Sequence, residues 1–272
     1  MQTGPGEIQC LYGSEPFEKM PLLKALKPFS DEAVDFLSAL SRELLADKDA
    51  CAYPDIAAFA YFCRKSSIEK EKAKYSDCLE NRIGRGLTFH IAPSNVPTIF
   101  AYSMASGLLG GNACIVRVSE KPFPQVDIIC NAIKNVFQSG KHDILKEYIA
   151  IIRYERSNDI TAYFSAMCNV RVIWGGDNTI SEIRKYQLPP RAFDITFADR
   201  YSFCAIHARN YIEKFNPEKT AQDFYNDVYL YDQNACSSPR LIAWIGSKED
   251  IAKAKKAFLG CNSRLRATAI YS

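Results

Sequence analysis

Residues 87–118 read LTFHIAPSNVPTIFAYSMASGLLGGNACIVRV, and this stretch decides the fold class. Leu87–Ala92 is an apolar run typical of a strand, and it ends at Pro93. Thr98–Leu109 has the length of a helix, which the following glycine pair stops. Ala113–Val118 is a second apolar run. A strand, a helix and a second strand in this order indicate parallel strands in an α/β fold.

The same alternation continues downstream. After two prolines, apolar residues recur at helical spacing from Val126 to Phe137. Further strands are expected at Tyr148–Arg153 and Val170–Trp174, followed by a helix over Thr179–Tyr186. We therefore expect a parallel sheet that helices cover on both faces.

The flanking regions are less regular. The first 80 residues are predicted to be helical, and the charged segment 65–82 fits a solvated helix or connector. Beyond Asp194, apolar runs recur at 202–208, 227–231 and 241–245, and a last helix is expected near Lys248.

Composition excludes several classes. With 47% apolar and 24% charged residues, the 272-residue chain is typical of a globular protein. A net charge of +3 gives no reason to expect a nucleic-acid or membrane-surface partner. Because no apolar stretch has the length of a membrane span and the start lacks a signal-peptide pattern, we expect no membrane span and a cytoplasmic location.

Ten cysteines are spread along the chain, and no two are closer than twelve residues. Zinc sites usually pair thiols two to four residues apart, so a metal site is not expected. We predict that most of these thiols are small buried hydrophobes. Cys236 is different, because it lies in the polar, turn-forming segment DQNACSSPR of residues 232–240. An accessible thiol beside free backbone N–H groups is a candidate nucleophile.

Three turns follow predicted strands, where parallel sheets bind ligands. Asn95, between two prolines, either donates a hydrogen bond to an oxyanion or forms an Asx turn. Arg117, Ser119 and Glu120 either hold a ribose and a phosphate or belong to a solvated loop. The turn WGGDNT of residues 174–179 permits close approach of a phosphate but lacks the dinucleotide fingerprint. His90, inside an apolar run, is expected to be a satisfied core residue.

Five phrases together resemble the aldehyde dehydrogenase superfamily, and more closely its acyl-CoA reductase family of the LuxC type. They are GLTFHIAPSNVPTIF, GLLGGNACIVRVSE, RVIWGGDNTI, FADRYSF and DQNACSSPRLIAW, in the family's order over about residues 85–244. The resemblance implies an N-terminal helical region over 1–82, a dinucleotide-binding domain over 83–196 and an incomplete catalytic domain over 197–272. It places the active site in the crevice between the two domains.

The resemblance also implies residue roles. Cys236 corresponds to the nucleophile and Asn95 to the oxyanion-hole amide. Residues implied in cofactor binding are Ala92, Pro93 and Ser94 along the cofactor route, Arg117, Ser119 and Glu120 at the adenosine ribose, and Gly176 and Asp177 at the pyrophosphate. The implied cofactor is NADP, with NAD as the alternative. The implied partners are an acyl-CoA or acyl-protein thioester, and either further copies of the chain or an acyl-activating enzyme.

Two departures from the superfamily bear on the reaction. Phe197 stands where hydrolytic aldehyde dehydrogenases have a glutamate, so hydrolysis of a thioacyl enzyme is expected to be slow, although Asp199 lies nearby in sequence. Only 36 residues follow Cys236, fewer than in the family, so the chain is expected to be a fragment or a shortened member.

Three functions are therefore open. The first is NADPH-dependent reduction of a fatty acyl thioester to an aldehyde through a thioacyl-cysteine. The second is conventional aldehyde oxidation with Asp199 or another group as base. The third is a nucleotide-binding or interaction module without turnover.

Overall fold

A computed structural model describes residues 8–13, 15–229 and 233–270, and for 262–270 it describes the helix but not the side chains. The chain divides into two compact units, unit 1 over Met1–Ala198 and unit 2 over Asp199–Ser272.

Unit 1 contains six strands and ten α-helices within its described residues. The strands are β1 Gln9–Tyr12, β2 Leu87–Ile91, β3 Ala113–Arg117, β4 Ile149–Arg153, β5 Val170–Trp174 and β6 Phe193–Phe197. The helices are α1 Asp31–Ala46, α2 Lys48–Cys51, α3 Pro54–Phe62, α4 Lys65–Ala73, α5 Ser76–Leu79, α6 Ile99–Leu109, α7 Pro124–Gln138, α8 Asp143–Lys146, α9 Asn158–Met167 and α10 Asp177–Ile183. A 3-10 helix covers Phe17–Leu22.

The sheet of unit 1 has the strand order β1-β4-β3-β2-β5-β6. Strands β2 to β5 are parallel, which confirms the predicted sheet, and β6 adds a further parallel strand that the sequence analysis did not predict. Strand β1 pairs antiparallel with β4 and corrects the prediction that the first 80 residues are helical. Its four residues are too few to show a period in sequence, and the strand exists because the edge of β4 offers it a partner.

Local signals position the helices around this sheet. Ser30 caps α1, since its Oγ accepts a hydrogen bond from the Ala33 N–H at 3.4 Å. Pro124 starts α7, where its missing N–H costs no helical hydrogen bond. The apolar faces of α1 and α7 and strands β2 to β5 share one core. The helix predicted over 179–186 begins and ends earlier, at Asp177 and Ile183. No described helix is long and apolar enough to cross a membrane.

Unit 2, as far as its residues are described, is a parallel strand pair with three helices. Its elements are β7 Phe203–His207, α11 Ala208–Lys214, α12 Pro217–Tyr229, β8 Leu241–Ile245 and α13 Lys248–Ile270. The apolar run expected over 227–231 is helical up to Tyr229, and its remainder lies outside the described residues. Tyr211 and Phe258 form the centre of a small core with one face of the strand pair.

The cysteines correct the prediction that most are buried. Four are buried, Cys63, Cys114, Cys130 and Cys168; two are half-buried, Cys204 and Cys261; and four are exposed, Cys10, Cys51, Cys78 and Cys236. Cys10 lies on the edge strand β1, and Cys51 and Cys78 lie in helices of four residues. The buried positions of β1 and α2 are Tyr12 and Ala50, so Cys10 and Cys51 lie on the exposed sides of these elements.

Candidate active site

The turn after β2 carries four of the predicted site residues. Ala92 is buried, and its N–H donates to the Arg117 carbonyl at 3.0 Å, which joins this turn to the end of β3. Pro93 is half-buried, whereas Ser94 and Asn95 are exposed before α6 begins. The amide of Asn95 is therefore accessible from solvent at the carboxyl end of a central strand.

The end of β3 forms a cluster around Arg117. The Arg117 Nη2 donates to Glu120 Oε1 at 2.8 Å and to the Tyr154 carbonyl at 3.3 Å, and the guanidinium carbon lies 5.0 Å from the Tyr154 ring centroid. Ser119 is buried, and its Oγ accepts from the Lys121 N–H at 3.1 Å. Arg117 is thus held by an ion pair and a carbonyl, while Glu120 lies exposed in the loop that follows β3. Sequence reasoning missed Tyr154, whose only signal was its position directly after β4.

One polar atom of this cluster has no partner. The Arg117 Nε is buried and makes no hydrogen bond among the described residues. A buried donor without an acceptor is energetically costly, so this position favours an added oxygen atom such as a ribose hydroxyl or a phosphate.

The glycine turn after β5 is hydrogen-bonded to the end of β6. Gly175 donates its N–H to the Phe197 carbonyl at 3.2 Å, and a side chain at Gly175 would collide with Thr179. A Cβ at Gly176 would meet open space, so the backbone there can be approached from outside. Asp177 is exposed at the first position of α10.

Beside this turn, two aromatic rings lie face to face. The rings of Trp174 and Phe197 have centroids 3.8 Å apart and planes only 9° from parallel. Trp174 Nε1 donates to Ser103 Oγ at 3.0 Å, and His90 Nδ1 lies 2.7 Å from the same oxygen. The indole is therefore held in one orientation at the carboxyl edge of the sheet.

His90 differs from the expected satisfied core residue. It is buried as predicted, but its Nε2 has no hydrogen-bond partner among the described residues. Burial lowers the pKa of His90 from 6.5 to about 3, so the ring is neutral at physiological pH. A neutral ring suits a structural link to Ser103.

The strand register brings these turns to one edge. Arg117 pairs with Ile91, Ile91 pairs with Ile173, and Trp174 pairs with Phe197. The residues predicted at 92–95, 117–120 and 176–177 thus follow neighbouring strand ends of one sheet. Their chemical roles stay predictions.

Cys236 belongs to unit 2, in a tight turn before β8. Cys236 is exposed, and its carbonyl accepts a hydrogen bond from Ser202 Oγ at 2.7 Å. The turn is closed by the Ser238 N–H, which donates to the Ala235 carbonyl at 3.0 Å. The residue is therefore accessible on a backbone that is fixed on both sides. Asp232, which opens the phrase, lies outside the described residues.

The buried cysteines are poor alternatives as nucleophiles. Burial raises the pKa of the Cys130 and Cys168 thiols to about 12. Burial also raises the pKa of the Cys63 and Cys114 thiols. A thiol with a raised pKa carries little thiolate at neutral pH.

A family match covers most of the chain. The family described as acyl-CoA reductase (LuxC) matches residues 64–258, which include both Asn95 and Cys236. The chain belongs to the acyl-CoA reductase (LuxC) family. The resemblance drawn from the sequence phrases is confirmed.

A curated relative of this LuxC-family chain is the long-chain acyl-protein thioester reductase of Aliivibrio fischeri. The two are 28% identical over 173 residues, which cover 62% of this chain and 34% of the relative. The chain thus matches about a third of the length of that relative.

Solved structures with the same fold are aldehyde dehydrogenases. An aldehyde dehydrogenase of Burkholderia cenocepacia, described as putative, superposes with a TM-score of 0.59 at 15% identity, over 84% of this chain and 51% of that chain. The betaine aldehyde dehydrogenase of Staphylococcus aureus, solved with NAD+, superposes with a TM-score of 0.54 at 15% identity, over 83% and 47%. The predicted aldehyde dehydrogenase-like α/β fold is confirmed, over about half of each neighbour.

Proposed function

We propose that this chain carries out the acyl-transfer chemistry of an NADPH-dependent reductase that converts a fatty acyl thioester to an aldehyde. The observation that carries the proposal is the family match, which spans both units and includes Cys236 in its exposed turn. The relative named long-chain acyl-protein thioester reductase supports an acyl thioester as substrate.

In the proposed first step, the Cys236 thiolate attacks the thioester carbonyl carbon. A bond forms between Cys236 Sγ and that carbon, the original carbon–sulfur bond breaks, and the leaving thiolate takes a proton from solvent. The Ser202 hydroxyl holds the Cys236 carbonyl, so the backbone around the nucleophile is fixed before the reaction. The product of this step is a thioacyl-enzyme.

Asn95 is proposed to stabilise the charge that develops on the carbonyl oxygen. Its exposed side-chain amide donates without carrying a charge, and Pro93 and Pro97 restrict the turn that presents it. The backbone N–H of Cys236 is the proposed second donor.

The strand ends of unit 1 fit a dinucleotide. The unpartnered Arg117 Nε can donate to a ribose or phosphate oxygen, the Glu120 carboxylate can accept from a ribose hydroxyl, and the open side of Gly176 admits a pyrophosphate. We propose the same role for Ala92, Pro93, Ser94, Ser119 and Asp177. When bound, NADPH supplies the hydride that releases the acyl group as an aldehyde. Arg117 can pair with the 2′-phosphate of NADP, whereas the Glu120 carboxylate beside it repels a phosphate, so the proposal of NADP over NAD rests mainly on the family resemblance.

The absence of a carboxylate at position 197 supports reduction over hydrolysis. Phe197 cannot activate water, so the thioacyl-enzyme is expected to persist until hydride arrives. Asp199 is exposed, and its Oδ1 accepts from the Arg200 N–H at 3.0 Å.

The domain assignment belongs to this proposal. We assign dinucleotide binding to residues 83–196 and thiol chemistry to 197–272, with 1–82 packing on the former. The proposed partners are an acyl-CoA or acyl-protein thioester and either further copies or an acyl-activating enzyme.

The first test is the intact mass of the chain after incubation with medium-chain and long-chain acyl-CoA. We expect one acyl adduct, mapped by peptide mass to Cys236 and absent in Cys236→Ala. Because acylation does not require hydride transfer, this measurement isolates the first step.

The matched control is Cys78→Ala, since Cys78 is also exposed but lies in unit 1. This variant should acylate like the unchanged chain. Equal adducts on Cys78 and Cys236 would indicate nonspecific thiol chemistry. No adduct on a chain shown to be folded by circular dichroism would favour the binding module.

A further inference from the structure

An exposed aromatic ring stands at the ligand-binding edge of the sheet in unit 1. Phe197 ends β6, and 44% of its surface is exposed although its other face is stacked on Trp174. Planar rings of nucleotides stack readily on such side chains. The stack therefore offers an open aromatic face where parallel sheets bind ligands.

Trp174, on which Phe197 stacks, is held in place by hydrogen bonds to the core. An indole N–H can only donate, so Ser103 Oγ accepts from Trp174 and its own hydrogen is free for His90 Nδ1. Ser103 and His90 are both buried in the core. Trp174 thus has a fixed plane, and Phe197 lies parallel to it. A platform fixed in advance binds a planar ligand with less loss of side-chain entropy.

The strand order indicates which ring of a dinucleotide reaches the platform. Arg117 ends β3, and Phe197 ends β6, three strand positions away along the order β3-β2-β5-β6. At the usual strand spacing this is about 14 Å. If the adenosine ribose is at Arg117, as the proposed function holds, an extended dinucleotide places its opposite end at β5 and β6.

We propose that Phe197, supported by Trp174, Ser103 and His90, is the stacking platform for the nicotinamide ring. This inference rests on the proposed function for the cofactor class and adds the residues that position its reactive ring. Phe197 is thus a positioning residue in place of a carboxylate.

The same strand supplies a matched control. Phe193 lies on the same face of β6 and is also 44% exposed, but it stands at the amino end of the strand. An apolar face that only contacts protein would give Phe193→Ala and Phe197→Ala equal effects. A nicotinamide platform makes Phe197→Ala alone affect dinucleotide binding.

The test is calorimetric titration of the full chain with NADPH and with adenosine 2′,5′-bisphosphate, which lacks the nicotinamide half. We expect Phe197→Ala to raise the Kd for NADPH about tenfold, from the usual strength of one stacking contact. Its Kd for the bisphosphate should change less than about twofold by the same reasoning. Phe197→Tyr and Phe193→Ala should bind NADPH like the unchanged chain.

Fluorescence gives an independent measurement. Trp174 and Trp244 are the two tryptophans of the sequence, so Trp244→Phe leaves Trp174 as the only tryptophan. NADPH should then quench Trp174 emission, and the bisphosphate should leave it unchanged.

Three results would overturn the inference. The first is an equal rise in the Kd values for NADPH and the bisphosphate in Phe197→Ala. The second is an unchanged Kd for NADPH in that variant, and the third is an equal change of this Kd in Phe193→Ala and Phe197→Ala. If only the Kd for acyl-CoA rises in Phe197→Ala, the ring contacts the acyl chain instead. If the unchanged chain binds neither NADPH nor NAD, the cofactor part of the proposed function fails as well, whereas adduct formation on Cys236 tests the acyl-transfer part separately.

Discussion

The parallel strands of unit 1 and unit 2 are similarly apolar in sequence but differ in burial. Strand β3, with the sequence ACIVR, is buried over its first four residues, whereas β7, with the sequence FCAIH, alternates between exposed and half-buried residues. Helices lie on both faces of the central strands of unit 1. In unit 2, Phe203, Leu241 and Ile245 leave one face of the strand pair exposed.

The difference shows that an apolar strand sequence does not determine how much free energy the strand contributes. Burial of apolar surface is worth about 25 cal/mol per Å², and it is gained only where another element covers the strand. The predictions below compare matched substitutions in the two units. The Trp244→Phe and Trp174→Phe backgrounds allow unfolding to be followed for unit 1 and unit 2 separately, because each keeps one tryptophan.

The largest contrast is expected between two phenylalanines. Phe89 is fully buried in unit 1 and packs on Phe164 with ring centroids 5.3 Å apart, whereas Phe203 in unit 2 is 61% exposed. We expect Phe89→Ala to lower the free energy of unfolding of unit 1 by about 3–5 kcal/mol. Phe203→Ala should lower that of unit 2 by less than about 0.5 kcal/mol.

Urea titration with tryptophan emission measures both values. If Phe203→Ala lowered the free energy of unfolding as much as Phe89→Ala does, the exposed face of β7 would be covered in solution. The two units would then not differ in the burial of their strands.

Ion pairs should show a similar contrast. Arg171 is buried in unit 1 and binds Asp194 with two nitrogens at 2.7 and 3.2 Å, whereas Lys219 and Asp223 in unit 2 form an exposed pair at 2.7 Å. Asp194→Ala leaves a buried charge unpaired and should cost about 3–5 kcal/mol. Asp223→Ala should cost at most about 0.5 kcal/mol.

Thermal melts at two salt concentrations check this pair of predictions. Adding salt should leave the loss of stability in Asp194→Ala nearly unchanged, since the Arg171 guanidinium is shielded from solvent. A deficit for Asp194→Ala below about 1 kcal/mol would contradict a desolvated pair.

Acid should destabilise unit 1 through His90. The pKa of His90 is lowered from 6.5 to about 3 in the folded chain, so below pH 6.5 the unfolded chain binds a proton that the folded chain does not. The contribution of His90 to the free energy of unfolding is therefore fully present above pH 6.5. It falls by about 1.4 kcal/mol per pH unit between pH 6.5 and 3.

The measurement is the urea midpoint of unit 1 from pH 7 to 5, compared with His90→Asn. The loss from pH 6.5 to 5 should be about 2 kcal/mol smaller in the variant. Identical pH profiles would show that His90 does not titrate on unfolding.

The smallest contrast concerns two helical glycines. A Cβ at Gly107 in α6 would lie 2.5 Å from Cys114 Sγ and 2.9 Å from His90 Nε2, whereas a Cβ at Gly260 in α13 meets no described atom within 4 Å. Alanine raises helix propensity at both sites by about 1 kcal/mol, but overpacking at Gly107 costs about 1–3 kcal/mol.

We therefore expect Gly107→Ala to destabilise unit 1 by about 1 kcal/mol and Gly260→Ala to stabilise unit 2 by up to about 1 kcal/mol. Differential scanning calorimetry of the two variants provides the values. Stabilisation by both would mean that α6 can move away from the sheet.

Much of the candidate site was predictable because its signals are local. A strand, a turn and a helix are encoded by consecutive residues, so the ends of β2, β3 and β5 and the exposed turn of Cys236 followed from the sequence. The support of Arg117 by Tyr154 did not, because 37 positions separate them and no period connects them.

By itself, the sequence determined the alternating α/β pattern, the family phrases and the residue types at the strand ends, since short-range periodicity and composition carry that information. Only the tertiary structure decided that β1 joins the sheet, that Trp174 stacks on Phe197 and that Arg171 is buried against Asp194. These contacts join segments far apart in the chain, and their free energy depends on which surfaces meet. That choice is made by packing of the whole unit, which no single stretch encodes.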